Sequence, residues 1–462
     1  MEGWKAITSL LCLYGFLKEL RPSEPFLTEY LINPKWSNIT LEQAYYDVYP
    51  VWTYSYLAVL ILVFLLTDLL RYKPVIVVEG FAYIGTWILL LYGKGVPTMQ
   101  LMQFVYGVAT STEVAYYSYI YTKVNQQHFQ AVTSWTRVAL LLGRFLSGCL
   151  AQILTSSGLC DYRGLNFVSL ASVSLATVVS FFLPKVTKTI YFHHDDFSPV
   201  NSPENEALED HSIGSGPWAR ALANVRRDFC QSFGNLYILK WSVWWALGMC
   251  GNFQVGNYIQ PLWETIQPVQ GTDHIYNGAV EALTTLAGAF LAFALGFVRL
   301  NWVLVGEPVL FLLSVLDGLL LLAIAVTDDI WVAYIGYFLF RAGYQMLITV
   351  ASYEIARHIG DDCYGLVFGF NTFLALLFQT VLTMVVADDI GLALPPRTQF
   401  LVYGCFWIVI GAIFLIMFLR AMVTQSLFQE IQAQGVWIHP EASSSSLEPN
   451  RREVPLGSTD PQ

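Results

Sequence analysis

Charge is what this sequence has least of. Only 13% of its 462 residues are Asp, Glu, Lys or Arg, where soluble domains carry about 25%. A soluble chain of this length would need a charged exterior, whereas a surface facing lipid needs none. With hydrophobic residues at 55%, water is not its main solvent. Paired cysteines are also missing. The seven cysteines (Cys12, Cys149, Cys160, Cys230, Cys250, Cys363, Cys405) stand singly, with no CxxC pair, which speaks against a disulfide framework and against a metal cluster. No GxxxxGK[ST], HExxH or GxSxG constellation occurs, so an enzyme reading has no support and no cofactor is expected. Much of the net charge of −10 lies in residues 195–210 and the terminal segments, outside the apolar runs, so it implies no special partner.

What is present is a series of apolar runs. About 20 mostly apolar residues are needed to cross a bilayer as a helix. Runs that meet this stand near 4–32, 49–70, 74–93, 97–122, 129–157, 165–184, 235–262, 276–299, 301–327, 330–356, 363–387 and 398–424. The expected fold is an all-α membrane protein of twelve transmembrane helices: a six-helix bundle over 1–184, a largely disordered linker over 185–234, a second six-helix bundle over 235–424 and a disordered tail over 425–462. The first span decides the total. Residues 6–17 are too few to cross before Lys18, Glu19, Arg21 and Glu24, so the helix must continue through Pro22 and Pro25 to about Ile32, bent by its prolines and carrying charge at membrane depth. A cleaved signal peptide is the rival reading, disfavoured because charges follow the apolar run directly.

Lys and Arg placement in short loops orients the chain with both termini cytoplasmic. Lys5, Arg71, Lys73, Lys123, Lys185, Lys188, Arg220, Arg226, Arg227, Arg299, Arg357 and Arg420 gather on one side, and Lys35, Arg163 and Arg397 on the other. The sequon Asn38-Ile39-Thr40 falls in the first outer loop, an independent agreement that makes Asn38 a glycosylation candidate and suits a plasma membrane. Two six-helix halves around a cytoplasmic linker is the plan of the major facilitator superfamily, in which solute binds between the halves near the midplane.

Ionisable side chains within spans cost about 2.5 to 3.5 kcal/mol each and usually face a bundle interior or a wet cavity. Here they are Glu24, Glu79, Glu113, Arg137, Arg144, Lys240, Glu281, Glu307, Asp317, Arg341 and Glu354; those near span ends, Arg137, Lys240, Glu307 and Glu354, read best as structural pairs. In the fourth span Gln103, Tyr106, Thr110, Glu113 and Tyr117 recur at three- and four-residue steps and form one helix face that lines a cavity or, less simply, a polar helix seam. Tyr49, Trp52 and Tyr56 share a face of the second span, as an interfacial belt or as a binding wall. Asn252, Gln254, Asn257 and Gln260 decorate the seventh span, and Asn277 opens the eighth one turn before Glu281; buried amides can read ring-nitrogen patterns or simply join helices. If Glu24, Glu113 and the aromatic rings converge, the site offers negative charge and π faces, suited to a flat cationic heterocycle. An organic anion would instead want several arginines and lysines aimed inward.

These residues resemble solute carrier family 19, the vitamin carriers comprising the reduced folate carrier and the thiamine transporters. The likeness runs from about residue 10 to 424 through Arg21-Pro22-Ser23-Glu24-Pro25-Phe26, Tyr49-Pro50-Val51-Trp52-Thr53-Tyr54-Ser55-Tyr56, Asp68-Leu69-Leu70-Arg71-Tyr72-Lys73-Pro74, the stretch Glu113 to Tyr121, and Tyr276-Asn277-Gly278-Ala279. The folate branch has arginine at the position of Glu113 and lysine at that of Gln379, and only Arg341 matches its clamp for carboxylates, so the thiamine branch looks nearer. The resemblance implies that Glu24, Tyr49, Trp52, Tyr106 and Asn257 hold thiamine, with Trp52 and Tyr106 sandwiching its aminopyrimidine, and that Glu281 is functionally important. Gln103 stands where the family has a glutamate that grips the aminopyrimidine; an amide keeps the pattern but loses the charge-assisted bond. The expected function is import of thiamine or a related cationic heterocyclic vitamin by alternating access, with a folate or organic-anion carrier as the alternative. The expected partners are the solute and the bilayer, with no nucleic acid, and the chain is expected to act as a monomer.

Overall fold

A computed structural model describes residues 3–123, 128–186, 226–227, 229–268, 275–295, 300–359, 364–389 and 391–423. Most of the expected linker and all of the expected tail lie outside the described residues. The described chain contains twelve helices of 17 or more residues: α1 (Gly3–Glu19), α2 (Tyr49–Leu69), α3 (Lys73–Tyr92), α4 (Val96–Lys123), α5 (Phe129–Ser156), α6 (Tyr162–Phe181), α7 (Leu236–Ile266), α8 (Asn277–Leu295), α9 (Trp302–Val326), α10 (Ile330–His358), α11 (Tyr364–Val386) and α12 (Pro396–Val423). Eight of these, α2, α3, α5, α6, α8, α9, α11 and α12, are long and apolar enough to cross a membrane by length and composition alone. Large apolar side chains such as Leu62, Phe81, Phe290, Leu312 and Ile416 point outward from them, as a lipid-facing surface requires.

The other four helices are informative. α4, α7 and α10 are long, at 28, 31 and 29 residues, but polar side chains interrupt their apolar runs, including Gln103, Thr110, Asn252, Gln254, Asn257, Arg341 and Gln345. α1 stops at Glu19, short of a bilayer's thickness, and the chain resumes as a single 3-10 turn (Glu24–Phe26) and a six-residue helix (Leu27–Ile32). The expected bent helix is thus a broken one. Pro22 and Pro25 have no amide hydrogen, so the regular ladder cannot run through them.

Backbone groups freed at membrane depth need other partners, and neighbouring helices supply them. The Arg21 amide donates to Ser147 Oγ at 3.1 Å and the Ser23 amide to Ser169 Oγ at 3.1 Å, while Ser172 Oγ donates to the Leu17 carbonyl at 2.7 Å. The indole of Trp87 donates to Ser23 Oγ at 2.9 Å. Hydroxyls on α5 and α6 and one ring on α3 therefore hold the break open.

Within the first six helices, α1 packs on α5 and α6, and α3 on α4 and α6; within the last six, α9 packs on α10 and α12, and α7 on α10, α11 and α12. Two seams join the sets, α5 against α8 and α2 against α11. At the first, a Cβ on Gly148 would stand 2.7 Å from the Gly278 carbonyl oxygen, so only glycine permits this approach.

Candidate functional site

The four helical segments with the most interrupted apolar pattern surround a common space. A cavity of about 410 Å³ lies between the two sets of helices, lined from the break after α1 by Glu19, Arg21 and Glu24, from α4 by Gln103 and Tyr106, from α7 by Asn252, Asn257 and Gln260, and from α10 by Tyr337, Arg341 and Gln345, with Tyr49, Trp52, Arg144 and Glu281 completing it. Of the residues singled out in the sequence, Glu24, Tyr49, Trp52, Gln103, Tyr106, Asn257, Glu281 and Arg341 all line this one space.

Glu24 sits in the 3-10 turn, its side chain 39% exposed. It accepts a hydrogen bond from Tyr106 Oη at 2.8 Å and lies 3.3 Å from Arg21 Nη1. Trp52 and Tyr106 stand with ring centroids 6.3 Å apart, tilted by 39°; Trp52 Nε1 donates to Thr110 Oγ1 at 3.2 Å, fixing the indole plane. Tyr49 is anchored through Thr28, with 2.6 Å between the two hydroxyls. Across the cavity Tyr337 Oη donates to Glu281 at 2.9 Å, and Arg341 donates to Asn252 Oδ1.

Glu113 is not among the cavity-lining residues. Its Oε1 meets Lys18 Nζ at 2.9 Å, and the same ammonium meets Glu79 Oε1 at 2.9 Å. Lys18 is buried, 4.6 Å from the centroid of the Tyr116 ring. The expectation that Glu113 adds negative potential to the path is corrected by this geometry. Desolvated carboxylates attract the nearest cation strongly, and Lys18 lies one turn before the break, turned away from the cavity toward α3 and α4. The cue was in the sequence, since Lys18 and Glu19 belong to a span read as crossing the membrane.

The cavity's charge also differs from the sequence-based expectation of an anionic passage. Three carboxylates (Glu19, Glu24, Glu281) face three guanidinium groups (Arg21, Arg144, Arg341), so the lining is formally neutral. Glu19 is buried and paired with two cations through one oxygen, its Oε2 accepting from Arg144 Nε at 2.6 Å and Arg21 Nη2 at 3.2 Å. Gln379, on the seam helix α11, donates to Thr53 Oγ1 at 3.3 Å and is buried away from this space. Lys240 and Glu307, expected as a structural pair, stand 2.9 Å apart. Asn38 is exposed, with a positive φ of 53°, in the loop that precedes α2.

Hydrogen bonds between the two sets of helices gather at one end. Asn277 Nδ2 donates to Glu29 at 2.7 Å, Tyr54 Oη to Asp388 at 2.5 Å, Tyr46 Oη to the Ala393 carbonyl at 2.7 Å, and Gln152 Nε2 to the Ile275 carbonyl at 2.8 Å. Gln260 makes two bonds there: its Nε2 donates to the Glu24 carbonyl at 2.9 Å and its Oε1 accepts from the Thr28 amide at 3.1 Å.

Two helix sets joined by two seams around a polar central cavity define a membrane solute transporter of the major facilitator fold. The backbone superposes on a D-xylose–proton symporter with a TM-score of 0.62 at 12% identity, covering 88% of this chain and 96% of that one, and on the nucleoside transporter NupG (D323A mutant) with 0.59 at 13% identity, covering 89% and 100%. The chain belongs to the reduced folate carrier family, whose sequence model matches residues 2–402. Relatives include thiamine transporter 1 of Mus musculus, 42% identical over 96% of this chain and 95% of the relative, and thiamine transporter 2 of Homo sapiens, 40% identical over 97% of each. The reduced folate transporter of Homo sapiens is 35% identical over 92% of this chain and 73% of its own length.

Proposed function

We propose that this protein carries thiamine, or a closely related cationic heterocycle, across the membrane by alternating access between two six-helix halves. The observation that carries the reading is the corner formed by Glu24, Tyr106, Trp52 and Gln103 on one wall of the cavity. Two aromatic rings share that wall with a carboxylate, a combination that favours a flat cation. With the lining formally neutral, selectivity rests on this local arrangement rather than on a negative passage. Glu24 supplies the charge, Tyr49, Trp52 and Tyr106 the ring contacts, and Gln103 and Asn257 the orientation; Glu281 and Arg341 form the opposite wall. The kinship with thiamine transporters supports the assignment.

The clustered bonds at the end bearing Asn38 support a conformation closed on that side, which we assign to the exterior of a plasma membrane, with Asn38 glycosylated, both termini cytoplasmic and the carrier working as a monomer. Residues 185–234 then link the halves. Uptake of labelled thiamine into cells expressing the chain tests the reading. Uptake above mock-transfected cells, competed by unlabelled thiamine, is expected; mock-level uptake with surface expression confirmed would refute it. A folate or organic-anion carrier is the second reading, favoured by the inward arginines Arg144 and Arg341, and it requires that reduced folates compete.

A further inference from the structure

Arg21 stands between two carboxylates. In an unbroken helix Glu19 and Arg21, two positions apart, would point to different faces. The break after α1 turns them together, so that Arg21 Nη2 donates to Glu19 Oε2 at 3.2 Å while its Nη1 lies 3.3 Å from Glu24 Oε1. Arg144 Nε, 2.6 Å from the same Glu19 oxygen, extends the row, which alternates cation and anion from α5 to the carboxylate on the cavity wall. Its links are unequal. Charge-assisted hydrogen bonds run about 2.7 to 2.9 Å, so Arg144 grips Glu19 firmly and Arg21 touches Glu24 loosely. The close hydrogen bond to Glu24 comes from Tyr106 instead, at 2.8 Å. The Arg21 guanidinium also keeps capacity in reserve. Its Nε is buried and without a hydrogen-bond partner, and its Cζ lies 5.0 Å from the centroid of the Tyr83 ring and 5.9 Å from those of Trp87 and Tyr106. Aromatic faces hold a cation in place without neutralising it. Glu19 meets both its arginines through Oε2, which leaves Oε1 to accept a second nitrogen of Arg21.

We propose that Arg21 is a positioning residue that acts as a stand-in cation for Glu24: it pairs with Glu24 while the solute is away and withdraws to Glu19 when the ring cation of the solute takes Glu24. This deepens the thiamine reading and rests on it. A carrier working by alternating access must cross back without solute, and a carboxylate carried unpaired through a low-dielectric interior is costly. Arg21 removes that cost without leaving the site, because its aromatic surroundings and Glu19 keep it within reach of Glu24 through the exchange. The loose 3.3 Å contact suits this role. A firm salt bridge would exclude the solute, and no cation at all would leave Glu24 holding the solute too tightly to release it. On the return stroke Arg21 competes for Glu24 and favours departure of the solute.

The test uses the full chain reconstituted in liposomes, native and with Arg21→Gln or Glu19→Gln. Uptake of labelled thiamine into empty vesicles is compared with uptake into vesicles preloaded with unlabelled thiamine. Net uptake requires the carrier to return unloaded, whereas exchange lets it return loaded, so only the first depends on a stand-in cation. Arg21→Gln should raise the ratio of exchange to net uptake by about tenfold or more, the scale of one charged hydrogen bond, and should lower the KM of exchange. Glu19→Gln removes the carboxylate to which Arg21 withdraws, so it should raise that KM several-fold and leave the ratio near the native value. A general weakening of the fold would slow net uptake and exchange together. An unchanged ratio in Arg21→Gln, or a KM that moves the same way in both variants, would overturn the proposal while leaving the thiamine reading standing. Should Arg21→Gln yield no folded protein, Glu19→Gln decides alone, and a KM at or below the native one overturns the proposal. Absence of thiamine transport by the native protein would remove both.

Discussion

The buried triad of Lys18, Glu79 and Glu113 predicts an uneven response to substitution. One ammonium sits 2.9 Å from each of two carboxylates, with Glu79 fully buried and Glu113 21% exposed. Counted formally, the cluster has one carboxylate more than it has cations. Lys18→Met would leave two carboxylates facing each other with no cation, and breaking a buried pair in this way costs about 3 to 5 kcal/mol. Glu113→Gln removes the surplus charge and leaves a matched Lys18–Glu79 pair, so its cost should stay within about 1 kcal/mol, the net worth of one hydrogen bond. Glu113→Arg sets a second cation against Lys18 and should be as damaging as losing the lysine. Detergent-solubilised protein followed by size-exclusion chromatography after heating reads all three: a midpoint near the native one for Glu113→Gln, and a drop of several degrees or loss of the monodisperse peak for the other two. Thiamine uptake per surface molecule should follow the same order. If Glu113→Arg heats and transports like the native protein, or if Glu113→Gln alone changes substrate selectivity, the carboxylate faces the solute and the placement argued above is wrong.

Gln103→Glu should lower the apparent KM for thiamine several-fold by turning a neutral hydrogen bond into a charge-assisted one, measured by uptake at graded thiamine concentrations; a higher KM would count against Gln103 touching the ring. Trp52→Ala removes an aromatic face and the donor to Thr110, and should raise KM by about thirtyfold with surface expression retained, in line with about 1 kcal/mol for a cation over a ring and a similar amount for stacking. Asn38→Gln should abolish the mobility shift produced by glycosidase treatment and leave uptake per surface molecule unchanged, because Asn38 is exposed and is not part of the cavity lining.

Periodicity made the helices legible, because a run of 20 apolar residues has few alternatives in a chain so poor in charge. It also pointed to the cavity. Gln103 and Tyr106 are spaced three apart on α4, whose apolar run is interrupted on that face, and both line it. Tyr49 and Trp52 are spaced likewise and do the same, whereas Tyr56, one turn further on, packs instead against Trp52 and Phe253. Pairing between distant helices was not legible. Nothing in a linear pattern says that Lys18 lies beside Glu113, 95 positions away, or that Arg144 reaches Glu19 across 125. Those pairings arise where α1 stops, and the break itself is set by Pro22 and Pro25 together with serines on α5 and α6 that no local rule connects to them. The net charge of the cavity followed from these contacts, so a count of acidic residues in the spans overstated it.

The bridging amide of Gln260 has one further consequence. The Glu24 carbonyl and the Thr28 amide it connects are four residues apart, the spacing at which an α-helix bonds to itself. An amide from the opposite half thus stands in for one rung of a helical turn. If the two sets of helices part as proposed, these two groups can bond each other, so separation need not strand a polar group in the low-dielectric interior. Refolding that rung would convert the 3-10 turn into α-helix and swing the Glu24 side chain. The movement that opens the passage and the movement that repositions the solute's counter-charge would then be the same rearrangement of one short stretch of backbone.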